Sequence, residues 1–202
     1  MASTTTNPRR RISTDLSLTI RKAAMRDIHP LLALINDYAA KGVMLPRTEF
    51  ELSENIRDFT LVHSGDRLVG CGALHFYTPT SGEVRSLAVD PTLQTHGLGR
   101  MIVDKLEQEA DENELHAMFA FTYVPGFFRK MGFRAVERGE LPLKVWKDCL
   151  RCPKFQCCDE IAMVKPLRPD AILQPIEAPS SVFDPDGILI QLPQLIKPDS
   201  NR

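Results

Sequence analysis

Three observations predict a mixed α/β fold, with α+β character, for this 202-residue chain. Apolar residues switch between a period of two and a period near 3.6 along residues 18–165, so strands and helices are interspersed. Ser64-Gly65-Asp66 separates two strand-like runs and reads as a hairpin turn. In the stretch VRSLAVDPTLQTHGLGR, from Val84 to Arg100, an apolar strand runs into Asp90-Pro91, a polar loop and a glycine-rich turn that opens an amphipathic helix.

The elements follow in order. Residues 1–17 are polar and rich in Thr, Ser and Arg, and read as a disordered tail in which Arg9-Arg10-Arg11 is solvated. Leu18–Lys22 alternates as a strand. Asp27 is placed to cap a helix carrying Ile28, Leu31, Leu32, Ile35 and Tyr38, which Lys41-Gly42 ends. Thr48-x-x-Glu51 is a capping box for a second helix bearing Leu52, Ile56 and Phe59. Strands over 59–63 and 68–76 flank the hairpin turn, and a third covers 82–89. After Gly97 a helix aligns Leu98, Met101, Ile102 and Leu106 on one face and stops at Asn113. A strand over 116–122, a short helix over 124–131, a strand over 133–137, a helical turn or two over 142–148 and a last strand over 160–165 complete the order β-α-α-β-β-β-α-β-α-β-β. Residues 166–202 hold 7 of the 15 prolines, so 168–202 is expected to be an extension, with 187–192 either loose or docked as a strand. One domain over 18–167 is expected.

Charge is nearly balanced, 25 Lys+Arg against 26 Asp+Glu, which argues against nucleic acid as the main partner. No apolar run approaches the ~18 residues of a membrane span. The basic N-terminus lacks the apolar run of a secretory signal. Five cysteines, an odd number, do not make a secreted disulfide scaffold, so a cytoplasmic protein with reduced thiols is expected.

A strand that feeds a glycine-rich turn at a helix N-terminus is a phosphate cradle: amides point outward and the helix dipole favours an anion. Arg100, a cation in the first turn, opposes that dipole, so an anion between them relieves a misfit. The spacing is neither Rossmann nor P-loop. Gln94-x-x-Gly97-x-Gly99, followed by Phe128-Arg-Lys-Met-Gly-Phe133, resembles the two motifs of the GNAT acyltransferase superfamily. The resemblance implies a mostly antiparallel twisted sheet flanked by helices, acetyl-CoA as co-substrate, and often a homodimer. On it, Leu87, Ala88 and Val89 hold the pantetheine arm from a bulged strand, and Gln94, Thr95, His96, Gly97, Leu98, Gly99 and Arg100 hold the pyrophosphate.

Within that superfamily, Leu45-Pro-Arg-Thr48, Ile56-Arg-Asp-Phe59, Gly70-Cys-Gly-Ala-Leu74 and Glu83-Val-Arg-Ser-Leu-Ala-Val89 resemble the acetyltransferase domain of N-acetylglutamate synthases, and the run from Thr122-Tyr-Val-Pro-Gly-Phe-Phe128 to Cys158-Asp-Glu-Ile-Ala-Met163 resembles their short, stand-alone bacterial form. The implied reaction moves the acetyl group of acetyl-CoA to the α-amine of L-glutamate, for arginine synthesis. Direct attack needs no cysteine nucleophile, and Cys71 reads as a small core residue. Glu83 is the best-placed carboxylate to take the amine proton. Phe128 stands where the superfamily often has a Tyr that protonates the leaving thiolate, so Tyr123 is the alternative donor. The two carboxylates of glutamate call for cationic partners, and Arg47, His75, Arg85 and Lys144 lie in matching segments. A plain Glu83–Arg85 ion pair is the competing reading. Cys149, Cys152 and Cys158 have part of a zinc-site look with no fourth ligand evident, so no metal is expected. Two other readings keep the fold: an acetyltransferase for another amine, and a non-catalytic acetyl-CoA sensor.

Overall fold

The structure, a computed structural model, describes residues 17–141, 152, 154 and 157–169. The expected N-terminal tail before residue 17, the helical turns over 142–148 and the extension beyond 169 lie outside the described residues. Seven strands form one sheet in the order β1-β2-β3-β4-β5-β7-β6. They are β1 (Leu18–Lys22), β2 (Phe59–Ser64), β3 (Arg67–Thr78), β4 (Ser81–Val89), β5 (Ala117–Thr122), β6 (Arg134–Ala135) and β7 (Ile161–Pro166). Among the described residues only β4 and β5 pair in parallel. A parallel pair needs a crossover, and the helix α3 (Leu98–Glu112) supplies it. Helices α1 (Ile28–Ala40) and α2 (Glu49–Asn55) cover the opposite face, and α4 (Pro125–Lys130) follows β5.

Each face has its own core. Leu98, Ile102, Val103, Leu106 and Ala110 of α3 pack on Val62, Leu74, Val84 and Met118, and burying each of the larger aliphatic side chains is worth about 1.5–3 kcal/mol. On the other face Leu31, Ile35, Leu52 and Ile56 pack on Phe59, Leu61, Cys71, Ala73 and Ala88. The α3 helix lies close on the sheet because β3 is bare beneath it. A Cβ on Gly72 would sit 2.7 Å from Ile102 Cγ2 and 3.2 Å from Leu87 Cδ1.

The capping box at Thr48 forms as expected: its hydroxyl accepts from the Glu51 amide at 3.2 Å, and the Glu51 carboxylate accepts from the Thr48 amide at 2.8 Å. Two local expectations change. Phe59 is not on the second helix. A 3-10 turn over Ile56–Asp58 ends the helical path, and Phe59 starts β2 in the core. Asp27 occupies the N-cap position of α1, but its side chain caps nothing there. Its carboxylate takes both arms of Arg21, at 2.7 and 2.8 Å, and the Ala24 amide at 2.8 Å. The guanidinium bonds hold the buried carboxyl down at about 2, against the upward push of burial.

The close approach of α3 predicts the cost of filling it. Gly72→Val should destabilise the fold by about 1–3 kcal/mol, read as a lower urea midpoint at unchanged m-value.

Candidate active site

The site originates in β4. Along its first half it pairs with β5 at only three positions, ending at Glu83↔Phe119. Beyond Glu83 the two strands part, and a cleft of about 740 Å³ opens between them. On its other edge β4 carries one extra residue: Ala73 faces Arg85 and Cys71 faces Ala88, so two steps on β3 match three on β4. This is a β-bulge. It is built at Ser86, a non-glycine residue at φ +51°, a left-handed conformation that L side chains seldom adopt.

The bulge inverts the side-chain alternation. Val84 points to α3, while Arg85 points to the α2 side, where its Nη2 lies 3.4 Å from Asn55 Oδ1 and 3.5 Å from Asp58 Oδ2. After the extra residue, Leu87 and Val89 face α3, and Ala88 faces α1. The edge of β4 from Val84 to Val89 therefore borders the cleft with no strand against it among the described residues. The Val89 carbonyl at its end accepts from Tyr38 Oη at 2.5 Å, and that hydroxyl accepts from Gln94 Nε2 at 2.7 Å.

Next comes the turn. The expected polar loop is a 3-10 stretch, Pro91–His96, whose start is held by Asp90 Oδ1 accepting the Thr92 amide at 2.9 Å. Gly97 follows at φ +78°, and only then does α3 begin. The first backbone bond there runs from the Met101 amide to the Gly97 carbonyl at 3.0 Å, leaving the preceding amides without an intrahelical acceptor. A Cβ on Gly99 would stand 3.3 Å from the Phe127 ring, so glycine lets that ring close over the helix start. Arg100 spans to α4, donating from Nη2 to the Lys130 carbonyl at 3.2 Å.

The cleft gathers Arg47, Glu83, Arg85, Leu87, Ala88, Val89, Gln94, Thr95, Gly97, Gly99, Arg100 and Tyr123 on one surface. His75, His96 and Leu98 are not part of its lining. Leu98 is fully buried in the α3 core, so any ligand contact it makes is through its backbone. Phe128 lines the cleft with a ring packed edge-on to Phe127 and Phe133. Lys144 and Cys149 lie outside the described residues. Cys152 and Cys158 reach the cleft wall, and no group of three metal-ligating side chains forms among the described residues. The Cys71 thiol is fully buried, and burial pushes it up to about 12, so it is no nucleophile at neutral pH.

Two cleft cations are anchored. Asn36 holds the Arg47 backbone on both sides, donating to its carbonyl at 3.0 Å and accepting from its amide at 2.9 Å. Asp58 accepts from Arg85 and lies 2.6 Å from His75 Nδ1. Across the cleft, Lys154 donates to Tyr123 Oη at 3.2 Å and sits 4.7 Å above its ring. Burial, the largest cause, raises Tyr123 above the usual phenol value, so it carries its proton at neutral pH. Tyr38, Asn36 and Asp58 carried no sequence signal of a site role. Tyr38 read as part of an apolar helix face, and Asp58 lay inside a string matched only as a whole.

The profile of the Acetyltransferase (GNAT) family matches residues 28–133. An uncharacterized N-acetyltransferase of Chlorobaculum tepidum is 39% identical over 148 residues, 73% of this chain and 96% of that protein. The amino-acid acetyltransferase of Mycobacterium tuberculosis is 32% identical over 152 residues, 73% of this chain and 87% of that one. The N-acetylglutamate synthase of Neisseria gonorrhoeae, solved with coenzyme A and N-acetyl-glutamate, superposes with a TM-score of 0.69 at 27% identity, over 75% of this chain and 35% of that chain. This chain thus spans about a third of the Neisseria protein. A forked parallel strand pair, a bulged strand bordering the cleft and a glycine-opened helix coincide with these matches, and the chain belongs to the GNAT acetyltransferase family.

Proposed function

We propose that this protein transfers the acetyl group of acetyl-CoA to the α-amine of L-glutamate, giving N-acetylglutamate and CoA, in service of arginine synthesis. The observation that carries the reading is the content of one cleft: a carboxylate at the fork, two arginines beside it, and a helix-start anion cradle at the far end. The similarity to the Neisseria synthase with its bound product supports the choice of acceptor.

The residues fit coenzyme A. The amides ahead of Met101 and the Arg100 guanidinium suit a pyrophosphate. The open edge of β4 from Val84 to Val89 suits the two amides of a pantetheine arm, which add to it as a strand would. Gln94, bonded to Tyr38 Oη, closes the corner between these two stretches.

Arg47 and Arg85 bind the two carboxylates of glutamate, since a planar guanidinium matches a carboxylate with two bonds. That clamp sets the α-amine at the fork, beside Glu83. Glu83 takes the amine proton as the nitrogen attacks, directly or through a water. The C–N bond forms, the C–S bond breaks, and Tyr123 supplies the proton that the departing thiolate takes up, then regains one from solvent as Glu83 loses its own. No acyl-enzyme forms on Cys71, whose thiol stays protonated in the core.

The test is thiol release by the purified protein at saturating acetyl-CoA, with glutamate and other amines run in parallel. Glutamate-dependent release with N-acetylglutamate as product is the expected result. Release with a different amine instead sinks the acceptor assignment. Acetyl-CoA binding without release on any amine sinks the enzyme reading.

Three substitutions separate the roles. Arg85→Ala should raise KM for glutamate about 10- to 100-fold, matching the loss of one charge-assisted bond, while KM for acetyl-CoA stays put. Glu83→Gln should cut kcat by roughly 10²–10⁴-fold with both KM values little changed. Tyr123→Phe should lower kcat roughly 10²-fold. Because the Tyr123 pKa is raised, its hydroxyl is protonated throughout, so that deficit should be constant from about pH 7 to about pH 9.

A further inference from the structure

His75 stands in a row that crosses three strands. It is the register partner of Glu83 on β4, which is in turn the register partner of Phe119 on β5. Directly opposed residues share a face, with Cβ atoms about 4.5–5.5 Å apart. His75 therefore neighbours Glu83 on the α2 side of the sheet, yet it is not part of the cleft lining. Its Nδ1 is held by Asp58 at 2.6 Å, and its ring is braced edge-on by Tyr77 at 4.9 Å. With Nδ1 engaged, Nε2 is the nitrogen left to exchange a proton elsewhere. The His75 side chain is 29% exposed, so it stands between Glu83 and solvent-accessible surface.

We propose that His75, oriented by Asp58, is the proton outlet of Glu83, and that it is not a ligand for a substrate carboxylate. The proposal rests on the role of Glu83 as base. Each turnover leaves one proton on the Glu83 carboxyl, which must leave before the next amine is deprotonated. Glu83 passes it to His75 Nε2, and Asp58 stabilises the imidazolium through the Nδ1–H bond. His75 Nε2 then returns the proton to solvent, restoring neutral imidazole and the Glu83 carboxylate. Asp58 is shared. The same Oδ2 that holds His75 lies 3.5 Å from Arg85 Nη2. One carboxylate thus positions both the outlet and the substrate clamp. The charged and titratable groups facing the imidazole are Asp58 from the turn after α2, Glu83 and Arg85 from β4, and Tyr77 on its own strand.

The test compares wild type with His75→Gln, His75→Ala and Asp58→Asn, each first shown to bind CoA as wild type does. For both His75 variants the expected result is a kcat lower by about 10²-fold with KM for the acceptor within about twofold. Added imidazole should restore much of the rate to His75→Ala and none to Glu83→Gln. Asp58→Asn should lower kcat and also raise the acceptor KM, because Arg85 loses its anchor. A His75→Gln enzyme with a raised acceptor KM and intact kcat would make His75 a ligand and overturn the proposal. So would a slow His75→Ala enzyme that imidazole does not rescue. If wild type uses another amine and not glutamate, the glutamate reading fails, while the relay is read on that amine with the same variants.

Discussion

Parallel pairing between β4 and β5 lasts three residues, because an extra residue turns β4 away just past Glu83. The edge of β4 from Val84 to Val89 borders the cleft with no strand of the described residues against it, so a packing irregularity lays backbone along the cleft wall. The same bulge inverts the side-chain alternation. Glu83 and Arg85 are thus on the α2 side, while Leu87 and Val89, a few residues on, plug the α3 core. Without the inversion, either Glu83 and Arg85 or the apolar anchors of β4 would face the wrong layer. Ser86 at φ +51° bears the local strain, and the strands and helices on both sides over-determine it.

The second organising constraint is electrostatic. The cleft joins a helix start, Arg100, Arg47 and Arg85, which all draw anions to one surface. Polar groups placed just outside it hold those residues in position. Asp58 holds Arg85, and the Asn36 amide does for the Arg47 backbone what a neighbouring strand would do. Tyr38 ties the end of β4 to the 3-10 stretch by bonding both Val89 and Gln94. The cleft wall is thus wired to α1 and to the turn after α2, not to the sheet alone.

Much of this was legible beforehand because it is local. Thr48 and Glu51 state a helix start in four residues, and Gly97 states a left-handed turn in one. The strand-turn-helix order of 84–112 needs only periodicity and a glycine. The misreadings come from where local chemistry has a distant competitor. Asp27 has the residue type and position of a helix cap, yet Arg21 on β1 and the Ala24 amide claim its carboxylate. Phe59 continues the helical spacing of Leu52 and Ile56, but a 3-10 turn sends it into the sheet. His75, expected beside the substrate carboxylates, is instead the cross-strand neighbour of Glu83 and is not part of the cleft lining.

By itself, the amino-acid sequence determined the order of elements, the glycine turn that opens α3 and the family, since each is written in short-range spacing that no distant contact overrides. Tertiary structure alone decided which of the charged residues share a cleft. That depends on a one-residue excess in β4, on the register that sets His75 opposite Glu83, and on the turn that swings Asp58 under both His75 and Arg85. Register and bulges are settled by the packing of two faces at once, and residues 17 apart, like Asp58 and His75, meet only after that packing is complete.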